Sequence, residues 1–191
     1  MLFRSVSQSR YHAQHIEGVI RSSTEALLAM DYARALDLSE SAFWDCCDFY
    51  LELVKKRAYL EGDFSSKRSA LATLRWTLKV FLQLLAPYIP FMTDEVWQWY
   101  FASSECPSVH ISKWPSVEAE IALSDSESYR LASAVISEIR GAKTRAGKNQ
   151  KWGVEWLVIK GSPLEIEAVE RVQLDIVNAG HVLDVRFYFW F

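Results

Sequence analysis

The sequence predicts a mainly α-helical protein, an antiparallel helical bundle followed by a small α/β lobe. Three long segments within the first hundred residues carry apolar side chains every three or four positions, which places them on one face of a helix. Short turns separate these segments, so that successive helices are expected to run antiparallel. After about residue 118, β-rich and helical segments alternate, which is typical of a small α/β unit. We therefore predict two domains, residues 1–117 and 118–191.

The first two predicted helices follow a polar segment, residues 1–10, which we expect to be frayed. One helix begins near Tyr11 and ends at Asp31, and the next spans residues 33–59. Residues 62–66 (GDFSS) then have the composition of a turn. Both helices show an apolar stripe, so both are expected to pack against the core of the bundle.

The third helix, residues 67–86, is the centre of the predicted bundle. Its stripe consists of Leu71, Leu74, Leu78, Phe81 or Leu82, and Leu85. Pro87 and Pro90 end it, because proline cannot donate the helical hydrogen bond. Thr93 is expected to cap a short fourth helix whose first turn carries Asp94 and Glu95 at the positive end of the helix dipole.

The second half of the chain changes in character. Val109 to Ile111 would form a short extended segment, and residues 117–123 a linker or short element. The pattern then predicts a helix over 126–146, a strand over 154–160, a helix over 164–178 and a strand over 182–189. Pro163 precedes the second of these helices and Gly180 ends it.

Composition excludes several classes of protein. The 191 residues carry a net charge of −3, so any contact with nucleic acid must come from a local basic patch. Adjacent Cys46 and Cys47, with Cys106 alone, fit neither a disulfide framework nor zinc spacing. No apolar run reaches 18 residues, and residues 1–20 do not have the pattern of a signal peptide. We expect a cytoplasmic protein with reduced thiols and no membrane contact.

No set of residues in the sequence predicts catalysis. The seven glycines are scattered, so there is no phosphate-binding loop. His12 and His15 have a spacing that could bind a metal, but no carboxylate or thiol accompanies them, and a solvated or partly buried pair is the favoured interpretation. We predict no catalytic residue, no metal site and no cofactor in this chain.

Two basic segments are candidate RNA contacts. The first is Lys55, Lys56 and Arg57 with Tyr59, at the end of a helix. These cations either complement the helix dipole or hold phosphates while the tyrosine ring stacks on an unpaired base.

The second basic segment contains Arg140, Lys143 and Arg145, followed by Lys148 and Lys151, with no acidic residue between Glu138 and Glu155. A solvated loop is the alternative to contact with an RNA backbone here.

Several motifs together resemble the anticodon-binding region of class I aminoacyl-tRNA synthetases. They are residues 48–55 (DFYLELVK), 86–97 (APYIPFMTDEVW), Ser108-Val109-His110 and Trp114-Pro115. Their order and spacing are most similar to the valyl-tRNA synthetase family, and the similarity covers nearly the whole chain. The first, tRNA-facing helix of that family has no counterpart in residues 1–11.

The resemblance implies a function. Enzymes of this family use ATP and Mg²⁺ to ligate valine to its tRNA, but the His-x-Gly-His and Lys-Met-Ser-Lys-Ser motifs of their catalytic domain do not occur here. It therefore implies a non-catalytic, C-terminal tRNA-recognition piece that works with the catalytic domain of the same enzyme. Lys55, Lys56, Arg57 and Tyr59 are the first candidates for contact with tRNA, and Arg140, Lys143 and Arg145 the second. The alternative is a stand-alone helical RNA- or protein-interaction module derived from such a synthetase.

Overall fold

A computed structural model of the chain describes residues 6–59, 64–117 and 126–189. It confirms the mainly helical fold with a small α/β part. The elements in order are α1 (Val6–Leu28), α2 (Tyr32–Asp45), a π-helical turn (Cys46–Tyr50), α3 (Leu51–Tyr59), α4 (Phe64–Leu85), α5 (Pro90–Tyr100), a 3-10 turn (Val109–Ile111), α6 (Ser126–Arg145), β1 (Val154–Gly161), α7 (Pro163–Glu170), α8 (Gln173–Gly180) and β2 (Val182–Phe189). Among these residues, no helix combines the length and apolar character needed to cross a bilayer.

The chain divides into two compact units. One, which we call the lobe unit, consists of Met1–His12, Asp48–Ala70 and Leu123–Phe191. The other, the bundle unit, consists of Ala13–Cys47 and Leu71–Ala122. Helices α1 and α4 each contribute to both units, since each crosses a division between them. The domain boundary at residues 117/118 stays a prediction, because units of dense contact do not by themselves decide where an independently folding domain ends.

The core of the bundle unit forms around the proline corner. Trp97 is buried with Leu82, Ala86 and Val109, and its indole N–H donates a hydrogen bond to the carbonyl of Cys106 at 3.3 Å. Leu78, Val96, Phe101 and Cys106 pack around this cluster. The corner therefore turns the chain so that α5 covers the C-terminal end of α4.

Hydrogen bonds fix the segment that follows α5. The carboxylate of Asp94 accepts from the Ser108 hydroxyl at 2.6 Å and from the Val109 amide at 3.0 Å. Further along, the Trp114 indole donates to the hydroxyl of Thr24 at 2.9 Å. These motif residues of the sequence analysis thus hold the bundle unit together.

We expect the Asp94 contact to make stability pH-dependent. The Ser108 hydroxyl, and then the Val109 amide, lower the pKa of Asp94 below its ordinary value. Because the folded-state pKa is depressed, the stabilisation is present above the unfolded pKa near 4 and is lost as pH falls through the folded value. Thermal melts of the wild type and of Asp94→Asn between pH 7 and pH 2.5 should converge towards low pH. A constant difference between their melting temperatures would contradict this role.

The lobe unit contains a two-stranded parallel sheet. Strand β1 pairs with β2 from Val154↔Val182 to Gly161↔Phe189. A parallel pair needs a crossover connection, which α7 and α8 provide. Ser162 and Glu165 form a capping box at the start of α7, with Pro163 in the first turn, where its missing N–H costs nothing.

Several predicted boundaries and elements were wrong. The first helix begins at Val6, within the segment expected to fray, and the segment predicted as one helix over 33–59 contains a π-helical turn. Val109–Ile111 is a 3-10 turn rather than extended, and the segment predicted as one helix over 164–178 is two helices with a break at the buried Val172. Most of the linker at 117–123 lies outside the described residues. Of the turn predicted at 62–66, residues 64–66 belong to α4, which begins at Phe64 rather than at residue 67, and residues 62 and 63 lie outside the described residues.

Two details around the corner also differ. Helix α5 begins at Pro90 rather than at Thr93, because the first position of a helix tolerates proline. The Thr93 hydroxyl does not cap; it donates to the carbonyls of Ile89 and Pro90, both at 3.1 Å. In α4, Leu71 is exposed, whereas every residue from Val80 to Leu84 is buried.

Candidate nucleic-acid interface

Helices α3 and α6 of the lobe unit bring two predicted cations to one carboxylate. Glu52 forms an ion pair with Lys55 on its own helix and another with Arg140 at 3.6 Å. The Arg140 guanidinium also donates to the carbonyl of Asp48 at 2.6 Å. The structure therefore joins the first and second predicted basic segments at Glu52, a residue that the sequence analysis did not single out.

Lys143 lies inside the lobe unit. Its side chain is only 5% exposed, and its ammonium donates to the carbonyls of Gln150 at 2.8 Å and Gly180 at 2.9 Å. Burial, with a smaller contribution from Arg140, lowers the pKa of Lys143. These contacts connect α6 to the turn that follows it and to the end of α8. They favour a structural role for this lysine.

Arg57 is also 5% exposed, and its Nε lies 3.2 Å from a carboxylate oxygen of Asp175 on α8. Burial raises the pKa of Asp175 to about 6, although Arg57 acts in the opposite direction. The guanidinium of Arg57 and the carboxylate of Asp175 thus form a buried ion pair. The neighbouring Lys56 is exposed and donates to the side-chain oxygen of Asn178 at 2.7 Å. Helix α3 is thus connected to α8 through two adjacent residues.

The remaining predicted residues are exposed. Tyr59, at the end of α3, presents most of its ring to solvent. Arg145, at the end of α6, forms a surface ion pair with Glu138 at 3.7 Å. Contact with tRNA stays a prediction for all seven residues, but the surface holds five of them: Lys55, Lys56, Tyr59, Arg140 and Arg145.

His181 lies beside the same basic region and was not predicted from the sequence. It follows α8 in a left-handed conformation, with φ 51°. Burial, followed by Lys143 and Lys55, lowers the pKa of His181 and so favours the neutral imidazole. No sequence pattern marks this residue, because the region around it is assembled from α3, α6 and α8.

The described residues do not fit a metal cofactor. Among them, no group of three or more His, Cys, Asp or Glu side chains is placed to hold a metal ion. His12, weighed above as a ligand, is buried and stacks on Tyr50 with ring centroids 3.7 Å apart and planes at 4°. Mg²⁺, which the resemblance implies for the whole enzyme, therefore finds no such donor set among the residues that the structure describes.

Three relatives are similar to this chain over most of its length. They are the valine–tRNA ligases of Leifsonia xyli subsp. xyli (37% identical over 185 residues, 96% of this chain), Salinispora tropica (36% over 187 residues, 89%) and Tropheryma whipplei (38% over 169 residues, 88%). The matched parts are 21%, 21% and 18% of those proteins. The chain therefore spans about a fifth of the length of the curated relatives that it matches.

A family model matches a longer part of the chain than any of the short motifs does. The model described as the anticodon-binding domain of tRNA ligase matches residues 9–158. This match begins in α1, includes the proline corner and all of α6, and ends within β1. It covers more than half of the chain, so the chain belongs to the family of anticodon-binding domains of tRNA ligases.

Proposed function

We propose that this chain recognises the anticodon stem-loop of a valine-accepting tRNA as the anticodon-binding part of a valine–tRNA ligase. The observation that carries the proposal is the match of residues 9–158 to the anticodon-binding family, together with similarity to valine–tRNA ligases. In such an enzyme, activation of valine with ATP and Mg²⁺ and its ligation to tRNA belong to a separate catalytic domain, which is the expected protein partner. We propose that the enzyme acts in the cytoplasm.

The physical task of the lobe unit is to hold an anionic, partly unpaired RNA. Lys55, Lys56 and Arg140 supply positive charge at the surface, and Tyr59 supplies an exposed ring. Phosphate contacts position an RNA, whereas stacking and hydrogen bonds to base edges distinguish unpaired bases. Glu52 keeps Lys55 and Arg140 close together before RNA binds, which reduces the entropy lost when both contact one phosphate backbone.

Arg57 and Lys143 support this surface from within. Arg57 anchors α3 to α8, and Lys143 anchors α6 to the end of α8. We propose that both residues position the exposed cations, rather than contact RNA themselves.

Neutralising two surface lysines tests the proposal. In filter-binding titrations with a valine-accepting tRNA transcript, Lys55→Gln/Lys56→Gln should bind several-fold more weakly than the wild type. The slope of log K against log salt should also fall, by about 0.7–0.9 for each phosphate contact removed. Lys113→Gln, at an exposed position of the bundle unit, is the matched control and should keep the wild-type slope.

The same titrations separate the alternatives. A transcript with a changed anticodon should bind the wild type more weakly than the native transcript, because anticodon recognition depends on base identity. Unchanged affinity and slope in Lys55→Gln/Lys56→Gln would exclude these lysines as contacts. No measurable affinity of the wild type for either transcript would favour a protein-interaction module instead.

A further inference from the structure

A groove between α6 and β1 in the lobe unit is separate from the surface formed by Lys55, Lys56 and Arg140. Its volume is about 750 Å³, within the range of ~300–1,000 Å³ that is common for ligand sites. Apolar side chains from both elements line it: Val135, Ile139, Ala142, Leu157 and Ile159. The groove therefore offers an apolar floor large enough for a flat aromatic group.

Two tryptophans at the border of this groove are unusually exposed to solvent. Trp152, in the turn before β1, and Trp156, within β1, are each 57% exposed. Lys148 lies over the Trp152 ring, with its ammonium 4.4 Å from the centroid, and Arg186 lies over the Trp156 ring at 5.0 Å. Each of these large aromatic side chains has a cation over its ring and still exposes more than half of its surface, which is open to stacking by a flat group.

The charge around the groove is strongly positive for this chain. Residues 140–160 hold six basic residues and one acidic residue, whereas the whole chain has a net charge of −3. Arg145, Lys148 and Lys160 line the groove, and the acidic residue at its border, Glu138, is paired with Arg145. A cationic rim over an apolar floor complements a ligand with an anionic backbone and flat, apolar faces.

We propose that this groove binds unpaired nucleotides of RNA, with bases against Trp152, Trp156 and the apolar floor, and phosphates on Lys148 and Lys160. Exposed rings combined with cations are the means by which proteins bind single strands without reading their sequence. The proposal goes beyond anticodon recognition and does not depend on it, since it concerns a second surface and any single-stranded RNA.

The outer edge of β1 suggests one competing occupant, a peptide strand added to the sheet. Within the described residues β1 pairs only with β2, and open edges of this kind can accept a further strand. Lysines at an edge usually oppose such pairing, and here Lys148 and Lys160 both line the groove. The same lysines attract an RNA backbone, so the charge favours RNA over a peptide.

Fluorescence anisotropy of a labelled oligouridylate of about 12 nucleotides, titrated with the full chain, tests the proposal. We expect Trp152→Ala and Trp156→Ala each to weaken binding by about 5-fold or more, because stacking on an aromatic ring contributes roughly 1–3 kcal/mol per base. Trp44→Ala, which removes an equally exposed indole from the bundle unit, should leave the affinity unchanged. Circular dichroism of each variant would show that it is folded.

A second pair of variants keeps the test decisive if a tryptophan variant does not fold. Lys148→Gln/Lys160→Gln should lower the salt slope for the oligouridylate, whereas Lys55→Gln/Lys56→Gln should not. Heparin, an anion without bases, should lose affinity in the lysine pair but not in the tryptophan variants.

Two results would overturn the proposal. One is wild-type affinity for the oligouridylate in Trp152→Ala and Trp156→Ala. The other is no binding of the oligouridylate by the wild type; concentration-dependent dimerisation in the same samples would then assign the β1 edge to strand pairing. Either result would leave tRNA binding through Lys55 and Lys56 unaffected, so the two proposals can fail separately.

Discussion

Replacing Trp97 with alanine is expected to lower the free energy of unfolding by about 3–5 kcal/mol. The side chain is 2% exposed and fills the space between Leu82, Ala86 and Val109 at the proline corner. Alanine would leave a cavity there and would also leave the Cys106 carbonyl without the indole hydrogen bond. Urea denaturation followed by circular dichroism measures the change.

Trp99→Ala is the matched control for this variant. Trp99 lies two positions further along α5, is 64% exposed and donates a hydrogen bond to the carboxylate of Glu95 on the same helix. Surface substitutions of this kind usually change stability by less than about 0.5 kcal/mol. Equal losses in the two variants would show that Trp97 is not the centre of the bundle unit's core.

Replacing Arg57 with methionine is expected to destabilise the protein by about 3–5 kcal/mol. Methionine retains much of the side-chain volume, but the buried carboxyl of Asp175 would lose the positive charge 3.2 Å away, so that it must either stay ionised at high cost or take up a proton. The pair joins α3, which carries the surface lysines, to α8. Urea denaturation at pH 7 measures the loss.

A double variant distinguishes the ion pair from simple packing. Arg57→Met/Asp175→Leu removes both charges, and apolar replacement of a buried pair is often neutral, so most of the lost stability should return. Lys56→Met, at the adjacent exposed position, should cost no more than about 1 kcal/mol. If the double variant were less stable than Arg57→Met alone, the charge on Asp175 would not be the cause of the loss.

Local sequence patterns predicted most of the fold correctly because they act within one element. The spacing of apolar residues predicted each long helix, and the two prolines predicted the corner, since proline removes a backbone donor wherever the chain places it. Which residues of α4 are buried was less predictable. We expected burial of one apolar face only. All residues from Val80 to Leu84 are buried, because other segments surround this end of the helix.

Predictions failed where a boundary depends on the surroundings of the chain. The helix break at Val172 and the π-helical turn at Cys46–Tyr50 carry no proline or glycine signal. Thr93 looked like a cap from its neighbours alone, but in the structure its side chain is buried and its hydroxyl donates to the preceding turn. Such details follow from packing, which overrides the preference of a single residue.

The amino-acid sequence alone showed that basic residues cluster in two short segments, and its motifs resemble those of an RNA-binding family. It could not determine which of those cations reach solvent, because successive residues of a helix are about 100° apart around the axis and so point in different directions. Only the packing of α3 and α6 against α8 turned Arg57 and Lys143 inward and left Lys55, Lys56 and Arg140 at the surface. The direction of each charge is set by neighbours that are distant in sequence, and tertiary structure alone brings those neighbours together.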